Sequence, residues 1–330
     1  VLGKIHPTNG DALLFLADAY RDMKQWPALV QTLNRCYEVV EEPERKKNIL
    51  VQLGQTQEEI LGDEREAMLS FRKALDIDPN LPAALESLDR LYRKAERWDD
   101  LVPILERRVG VEQDPLQIVA LQLQVAELFE DRLRKDDQAI KVYRNVIERE
   151  ASNERALKGL ERLYARAERW QDLLDILEVE HDVAESEREK LTLLERMASM
   201  LEEEFLRHED AARRLEQVLE IDPTSENALA GLERLYRQLQ RWDELADTHG
   251  RHVEAAVERS IKVEHLHHQS TVLLENLDAP DRAVESLRRV LDLDPDEPEA
   301  LDRLAELLDR QGDHAGSLEM LERLAAVVTT

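Results

Sequence analysis

One tryptophan recurs at a fixed interval along this chain, at Trp26, Trp98, Trp170 and Trp242, with 72 residues between neighbours. A tyrosine, an alanine and a proline keep the same interval. Their columns are Tyr20, Tyr92, Tyr164 and Tyr236; Ala67, Ala139, Ala211 and Ala283; and Pro7, Pro79, Pro223 and Pro295, with Ala151 in the third place of the last column. Four columns in one register indicate an internal repeat. Such a repeat limits the chain to architectures in which each unit packs on the next.

Each 72-residue unit contains four stretches whose apolar residues are spaced three or four apart, as they are on one face of an α-helix. One stretch carries Leu50, Leu53 and Ile60, and the next, after a polar break, carries Phe71 and Leu75. The unit is therefore a doublet of two helix pairs of about 36 residues each, a length typical of helical solenoids. The composition agrees, because 35% charged residues with only 10 Gly and 11 Pro favour long helices over sheets.

The repeat predicts one continuous array over residues 1–330, and we expect this array to be a fragment of a longer protein. Its first residues match the end of a second helix, because Ile5 and Pro7 align with Ile77 and Pro79. The predicted segments are residues 1–9 as the tail of a preceding repeat, followed by helix pairs at 10–45, 46–80, 81–114, 115–151, 152–185, 186–223, 224–257, 258–295 and 296–330.

The pair at 46–80 resembles the tetratricopeptide repeat family, in which a small residue on the first helix is followed by alanine, an aromatic residue and a closing proline. The matching residues are Gly54, Ala67, Phe71 and Pro79. The resemblance implies an all-α fold, a right-handed superhelical α-solenoid of about nine tetratricopeptide-like helix pairs. It also implies that the first helices of successive pairs line a concave groove and bind protein there.

Carrying the groove over from the family residue by residue gives first-helix faces that alternate between acidic and basic. The predicted protein-binding groove residues are Arg90, Arg93, Lys94, Glu127, Glu130, Lys158, Arg162, Arg166, Arg196, Arg234 and Arg237. One interpretation is a surface for a partner with patterned charge. The other is that neighbouring acidic and basic faces pair with each other and with water, which contributes little to stability.

The leading functional prediction is a scaffold or adaptor that holds a partner protein or an extended segment through the groove. A regulatory or positioning arm of a larger enzyme or signalling protein is the second hypothesis, and a self-associating architectural spacer that uses uncapped ends is the third. The chain has no glycine-rich phosphate loop and no GxSxG motif. We therefore predict no enzymatic activity and no cofactor.

The charge balance restricts the partners and the compartment. The chain has 45 Lys and Arg against 72 Asp and Glu, a net charge of −27, so this acidic surface repels nucleic acid. No apolar run approaches the length that spans a bilayer, and Val1–Gly10 does not resemble an export signal. Cys36 is the only cysteine and permits no internal disulfide, so we predict a buried filler. These features predict a cytoplasmic protein without membrane insertion, and the Arg-rich and Glu-rich helices favour a bacterial one.

Five of the nine histidines lie between His249 and His268. His249 stands in the column of Leu33, Leu105, Leu177 and Leu321, and His265 stands in the column of Ile49, Leu121 and Leu193. Spacings of three residues place His249 with His252, and His265 with His268, on one helix face, where a divalent metal could be chelated. Without cysteines or an HExxH motif nearby, a polar cluster without metal is favoured. A local pH-sensitive point is a further hypothesis.

Overall fold

The computed structural model describes residues 10–328, and all regular secondary structure in that range is helical. Its 18 α-helices are α1 Gly10–Asp22, α2 Trp26–Val39, α3 Pro43–Gln55, α4 Glu64–Ile77, α5 Pro82–Lys94, α6 Trp98–Val111, α7 Pro115–Glu127, α8 Asp136–Arg149, α9 Glu154–Arg166, α10 Trp170–Val183, α11 Glu187–Glu203, α12 His208–Ile221, α13 Glu226–Gln238, α14 Trp242–Ala255, α15 Arg259–Glu275, α16 Pro280–Leu293, α17 Pro298–Arg310 and α18 His314–Val328. Short π-helical turns, Thr56–Ile60 and Leu128–Arg132, extend α3 and α7. The predicted tail at residues 1–9 lies outside the described residues.

The helices pack in chain order. The structure divides into two compact units, Val1–Leu163 and Tyr164–Thr330, and the division falls within α9. In the first unit each helix from α1 to α8 contacts the next one, and in the second unit the same holds from α10 to α18. This sequential packing within each unit confirms the predicted all-α solenoid.

Close approaches within a helix pair and between successive pairs require a glycine on one of the two helices. A Cβ atom on Gly54 of α3 would lie 2.8 Å from ring atoms of Phe71 on α4, which is fully buried. A Cβ atom on Gly159 of α9 would lie 2.6 Å from the ring of Tyr143 on α8. The rings fill the space that a larger side chain would need, so the aromatic core positions depend on their small neighbours.

The turn inside every pair contains one residue with a positive φ angle, a conformation that favours glycine. These residues are Lys24, Gly62, Glu96, Arg134, Glu168, Leu206, Gln240, Asp278 and Gly312. The N–H of the next residue bonds back to a helix carbonyl in every case. In five turns the carbonyl is five residues earlier, as in a Schellman motif, for example from Arg97 to Tyr92 at 2.9 Å, and in the other four it is six residues earlier. Only two of the nine are glycines, so the composition of the turns conceals their shared geometry.

The recurring tyrosine and tryptophan belong to the same turn. The Arg97 guanidinium lies 5.2 Å from the centre of the Tyr92 ring and donates to Asp100 in the first turn of α6. Arg169 and Arg241 repeat the stacking on their tyrosines at 4.9 and 5.2 Å. The four tryptophans begin α2, α6, α10 and α14 and are partly buried. Both aromatic columns are therefore structural.

Two further expectations can be compared with the described residues. Cys36 lies on α2 and is fully buried, as the sequence predicts for a filler. Between residues 10 and 328, none of the helices combines the length and the apolar character that crossing a membrane requires.

Candidate functional site

The basic side chains predicted for the groove lie on α5, α9 and α13, and each of these helices bonds back to the end of the first helix of the preceding pair. Arg90 donates from Nε and Nη2 to the two carboxylate oxygens of Glu58, both at 2.8 Å. The same contact recurs 72 residues later between Arg162 and Glu130, and again between Arg234 and Glu202 at 2.6 Å. The acidic and basic faces therefore pair, as the second interpretation of the charges predicts.

The Arg162–Glu130 ion pair is more buried than the other two. Glu130 is only 4% exposed, and it accepts from Arg162 Nε and Nη2, both at 3.1 Å, and from the Tyr143 hydroxyl at 2.9 Å. Burial, followed by the neighbouring carboxylate, raises the pKa of Tyr143 above its usual range. The expectation that Glu130 faces solvent in the groove is wrong, because the tyrosine hydroxyl, which Phe71 lacks in the preceding doublet, draws this carboxylate inward.

The remaining predicted groove residues lie at the surface, most of them in local contacts. Arg93 donates to Gln124 at 2.6 Å, Lys94 pairs with Glu64, Lys158 pairs with Glu161 at 2.9 Å, and Glu127 pairs with Arg155. Arg166, Arg196 and Arg237 are exposed. Lys94 and Glu127 thus pair with opposite charges on other helices, whereas Lys158 pairs within α9.

The histidines form a second cluster, in which three consecutive helices meet. Glu233 of α13 directs Oε1 at the Nδ1 atoms of His249 and His252 of α14, at 3.1 and 2.9 Å, and at Nδ1 of His265 of α15, at 3.2 Å. The Nδ1 atoms of His249 and His265 are 3.2 Å apart. The His252 and His265 rings stack with their centres 3.8 Å apart, and His268 lies beside them. We call this set the Glu/His cluster.

Burial makes the Glu/His cluster electrostatically unusual. His249 is fully buried, and its Nε2 atom has no hydrogen-bond partner among the described residues. Burial opposes the charge of Glu233, but hydrogen bonds from the surrounding imidazoles hold the pKa of its carboxyl well below the usual range. Burial, followed by the neighbouring His249, lowers the pKa of His268.

Sequence reasoning missed Glu233 as the centre of this cluster. Its column in the repeat could have revealed it, because this column places an acidic residue on the largely apolar face of a first helix at each 72-residue step. The residues of the column are Asp89, Glu161 and Glu233. His249 and His265 do occupy the buried positions of their aliphatic columns, at 0% and about an eighth exposed. Leu321, in the same column as His249, is instead largely exposed on α18.

Three family models, each described as a tetratricopeptide repeat, match the chain. One matches residues 12–47, 84–118 and 228–262, a second matches 48–81 and a third matches 277–328. Together the matches cover more than half of the chain. Among curated protein sequences, none matches this chain.

Several solved structures are similar to the chain. The structure of Naa15/Naa10 bound to HypK-THB is 13% identical with a TM-score of 0.36, and the match covers 96% of this chain but only 63% of that chain. A tetratricopeptide repeat protein from Parabacteroides merdae ATCC 43184 is 14% identical with a TM-score of 0.32, covering 79% of this chain and 98% of that one. MamA is 11% identical with a TM-score of 0.31, covering 52% of this chain and 95% of that one.

Proposed function

Since this chain belongs to the tetratricopeptide repeat family, which is generally a non-catalytic interaction module, we propose that it is a protein-binding scaffold whose first-helix faces each bind an extended, acidic segment of a partner. The observation that carries the proposal is the Arg90, Arg162 and Arg234 series. One exposed guanidinium recurs at each 72-residue step, in the same bond to a carboxylate of the preceding pair.

Exposure decides which member of each pair a partner meets. The three arginine side chains are 57%, 59% and 65% exposed, whereas the side chains of Glu58, Glu130 and Glu202 are 13%, 5% and 20% exposed. An approaching segment therefore meets guanidinium groups in front of shielded carboxylates. At contact distance the positive charge of these guanidinium groups outweighs the net charge of −27, because charges more than about 8 Å away are screened at physiological salt.

The bond to glutamate also holds each arginine side chain in one position before a partner binds. A guanidinium has five N–H donors, and the two-bond contact of Arg90 with Glu58 uses the donors of Nε and one Nη. Donors remain for a carboxylate or a carbonyl of the partner. Because the flexible side chain is already held, less conformational entropy is lost on binding than for a free arginine.

The test uses two fluorescent decapeptides of equal length, one rich in Asp and Glu and one in which Lys replaces them. We expect the acidic peptide to bind the full chain more tightly, with an affinity that falls as salt rises. The double variant Arg90→Gln/Arg234→Gln removes one arginine from each compact unit and should weaken this binding by about fivefold, because each lost charged contact costs about 1 kcal/mol.

The matched control is Arg282→Gln/Arg289→Gln on α16, which removes two arginines that are 47% and 41% exposed and also paired with carboxylates. This control changes the net charge by the same amount, but its two arginines lie on the second helix of a pair, outside the proposed binding face. Equal weakening in both double variants would show that binding follows net charge only, and the proposed binding face would be wrong. Preference for the lysine peptide would reject the acidic partner.

A further inference from the structure

The Glu/His cluster replaces an ion pair that an earlier doublet makes with a permanent cation. At the position of Glu233 the second doublet has Asp89, and at the position of His252 it has Arg108, and these two side chains form a salt bridge. Among the described residues, the ion-pair partners of Glu233 are imidazoles. An imidazole, unlike a guanidinium, carries no permanent charge, so the half-buried Glu233 carboxylate lacks the fixed positive partner that Asp89 has.

Hydrogen bonds alone cannot pair all of the polar atoms that meet in the Glu/His cluster. One carboxylate oxygen and three Nδ1 atoms converge, and two of those nitrogens, on His249 and His265, also face each other at 3.2 Å. If both nitrogens carry a proton to reach Glu233, their N–H groups oppose each other. If one lacks the proton, its lone pair faces the carboxylate. A single cation among the four atoms removes this conflict, because every lone pair then points at positive charge.

The spacing of the atoms suits a transition-metal ion. Zinc is bound at about 2.0–2.1 Å by imidazole nitrogen and about 2.0–2.2 Å by carboxylate oxygen, so ligand atoms around a tetrahedral ion lie about 3.3–3.4 Å apart. The separations from Glu233 Oε1 to the Nδ1 atoms of His249, His252 and His265 are 3.1, 2.9 and 3.2 Å. Each of these separations, and the 3.2 Å between the Nδ1 atoms of His249 and His265, would need to lengthen by only a few tenths of an ångström.

We propose that Glu233, His249, His252 and His265 bind one divalent transition-metal ion of the zinc type, at the point where α13, α14 and α15 meet. Imidazole with carboxylate suits such ions, whereas calcium and magnesium favour oxygen ligands. The site goes beyond the proposed protein-binding function. Four protein ligands close the coordination shell, so the ion is structural and joins two successive helix pairs.

The neighbouring groups agree with this assignment. The four ligand side chains range from fully buried to 15% exposed, so the ligand atoms are largely shielded from water. His268 lies next to the ligands, and together with His249 and His265 it forms a second set of close nitrogen atoms. It could exchange with one of the four ligands without a change in metal class.

The experiment titrates Co²⁺ and Zn²⁺ into the untagged full chain in the presence of millimolar Mg²⁺, which occupies the weak sites of the acidic surface. We expect one Co²⁺ per chain with the visible bands of a four-coordinate ion, displaced by Zn²⁺. Zinc should also raise the thermal midpoint of the parent. Failure to bind Co²⁺ or Zn²⁺ above the Mg²⁺ background would overturn the proposal.

The decisive variant is His249→Leu/His265→Leu, which restores the leucines found in the preceding doublet at Leu177 and Leu193 and should therefore fold. It should lose binding by about 100-fold or more, and the isosteric variant Glu233→Gln should lose about tenfold or more. Glu233→Gln keeps the test decisive if the double variant does not fold. The control His181→Gln/His314→Gln removes two distant histidines and should bind as the parent does. Equal binding by all variants would place the ion on the acidic surface and refute the site.

Discussion

Replacing Arg162 with alanine should destabilise the chain far more than the equivalent changes in the neighbouring doublets. Arg162 bonds twice to Glu130, whose side chain is only 5% exposed, so the substitution leaves a buried carboxylate with Tyr143 as its remaining donor. Losing one partner of a fully buried pair costs about 3–5 kcal/mol, and an exposed pair contributes about 0–1. Because Arg162 itself is 59% exposed, we expect about 2 kcal/mol.

Arg90→Ala and Arg234→Ala are the internal controls, with an expected cost of about 1 kcal/mol or less. Their partners Glu58 and Glu202 retain 13% and 20% exposure and can turn towards water. Unfolding of a repeat array is not all-or-none, so the assay should be local. Hydrogen exchange resolved along the chain measures each region separately, and a loss of about 2 kcal/mol corresponds to exchange faster by about 30-fold in α8 and α9.

A second substitution separates charge from packing. In the Arg162→Ala background, Glu130→Gln should recover part of the lost protection, because a neutral amide pays a smaller penalty for burial than a carboxylate. Equal effects of the three arginine substitutions, or no recovery with the glutamine, would refute the argument that the burial of Glu130 sets the cost.

Three other changes test the packing and the turns. Gly159→Ala should destabilise by about 1–2 kcal/mol, because its Cβ would lie 2.6 Å from the rigid Tyr143 ring, whereas Gly231→Ala meets the flexible end of Leu215 and should change the urea midpoint little. Leu206→Gly should raise the thermal midpoint, with a gain of about 1 kcal/mol, because Leu206 has φ of +53° and is 71% exposed. Trp170→Ala should lower the free energy of unfolding measured in urea by about 2 kcal/mol, less than for a fully buried tryptophan, because Trp170 is only partly buried. No measurable change would show that the tryptophan column does not contribute to packing.

The fold could be predicted from the sequence because its repeat leaves evidence in several columns at once. The tryptophan that begins a helix and the tyrosine whose carbonyl closes the turn contact residues close in the chain, so a fixed interval is enough to reveal them. The positive φ angles were not predictable from residue type, since residues such as Leu206 and Glu96 adopt them without being glycine. Here the hydrogen bonds of the turn, rather than local preference, determine the conformation.

The candidate sites were harder to predict, because their chemistry depends on contacts between repeats. Sequence reasoning placed Glu130 and Arg162 on exposed faces of neighbouring helices, but it could not foresee that the Tyr143 hydroxyl draws the carboxylate into the core. It likewise placed His249 and His265 on successive helices without showing that they share a carboxylate. Which residue fills a column is visible in the sequence, but which columns touch is not.

Departures from the repeat are therefore the most informative positions in a chain of this kind. A residue that keeps its column, such as Leu177, needs no explanation beyond packing. Two histidines in place of leucine on adjacent helices lose apolar burial, and the Glu233 carboxylate between them adds a desolvation cost. Losses that coincide at one point call for a compensating interaction at that point. A bound cation supplies this interaction for the carboxylate oxygen and the three Nδ1 atoms at once, whereas protons leave the Nδ1 atoms of His249 and His265 opposed at 3.2 Å.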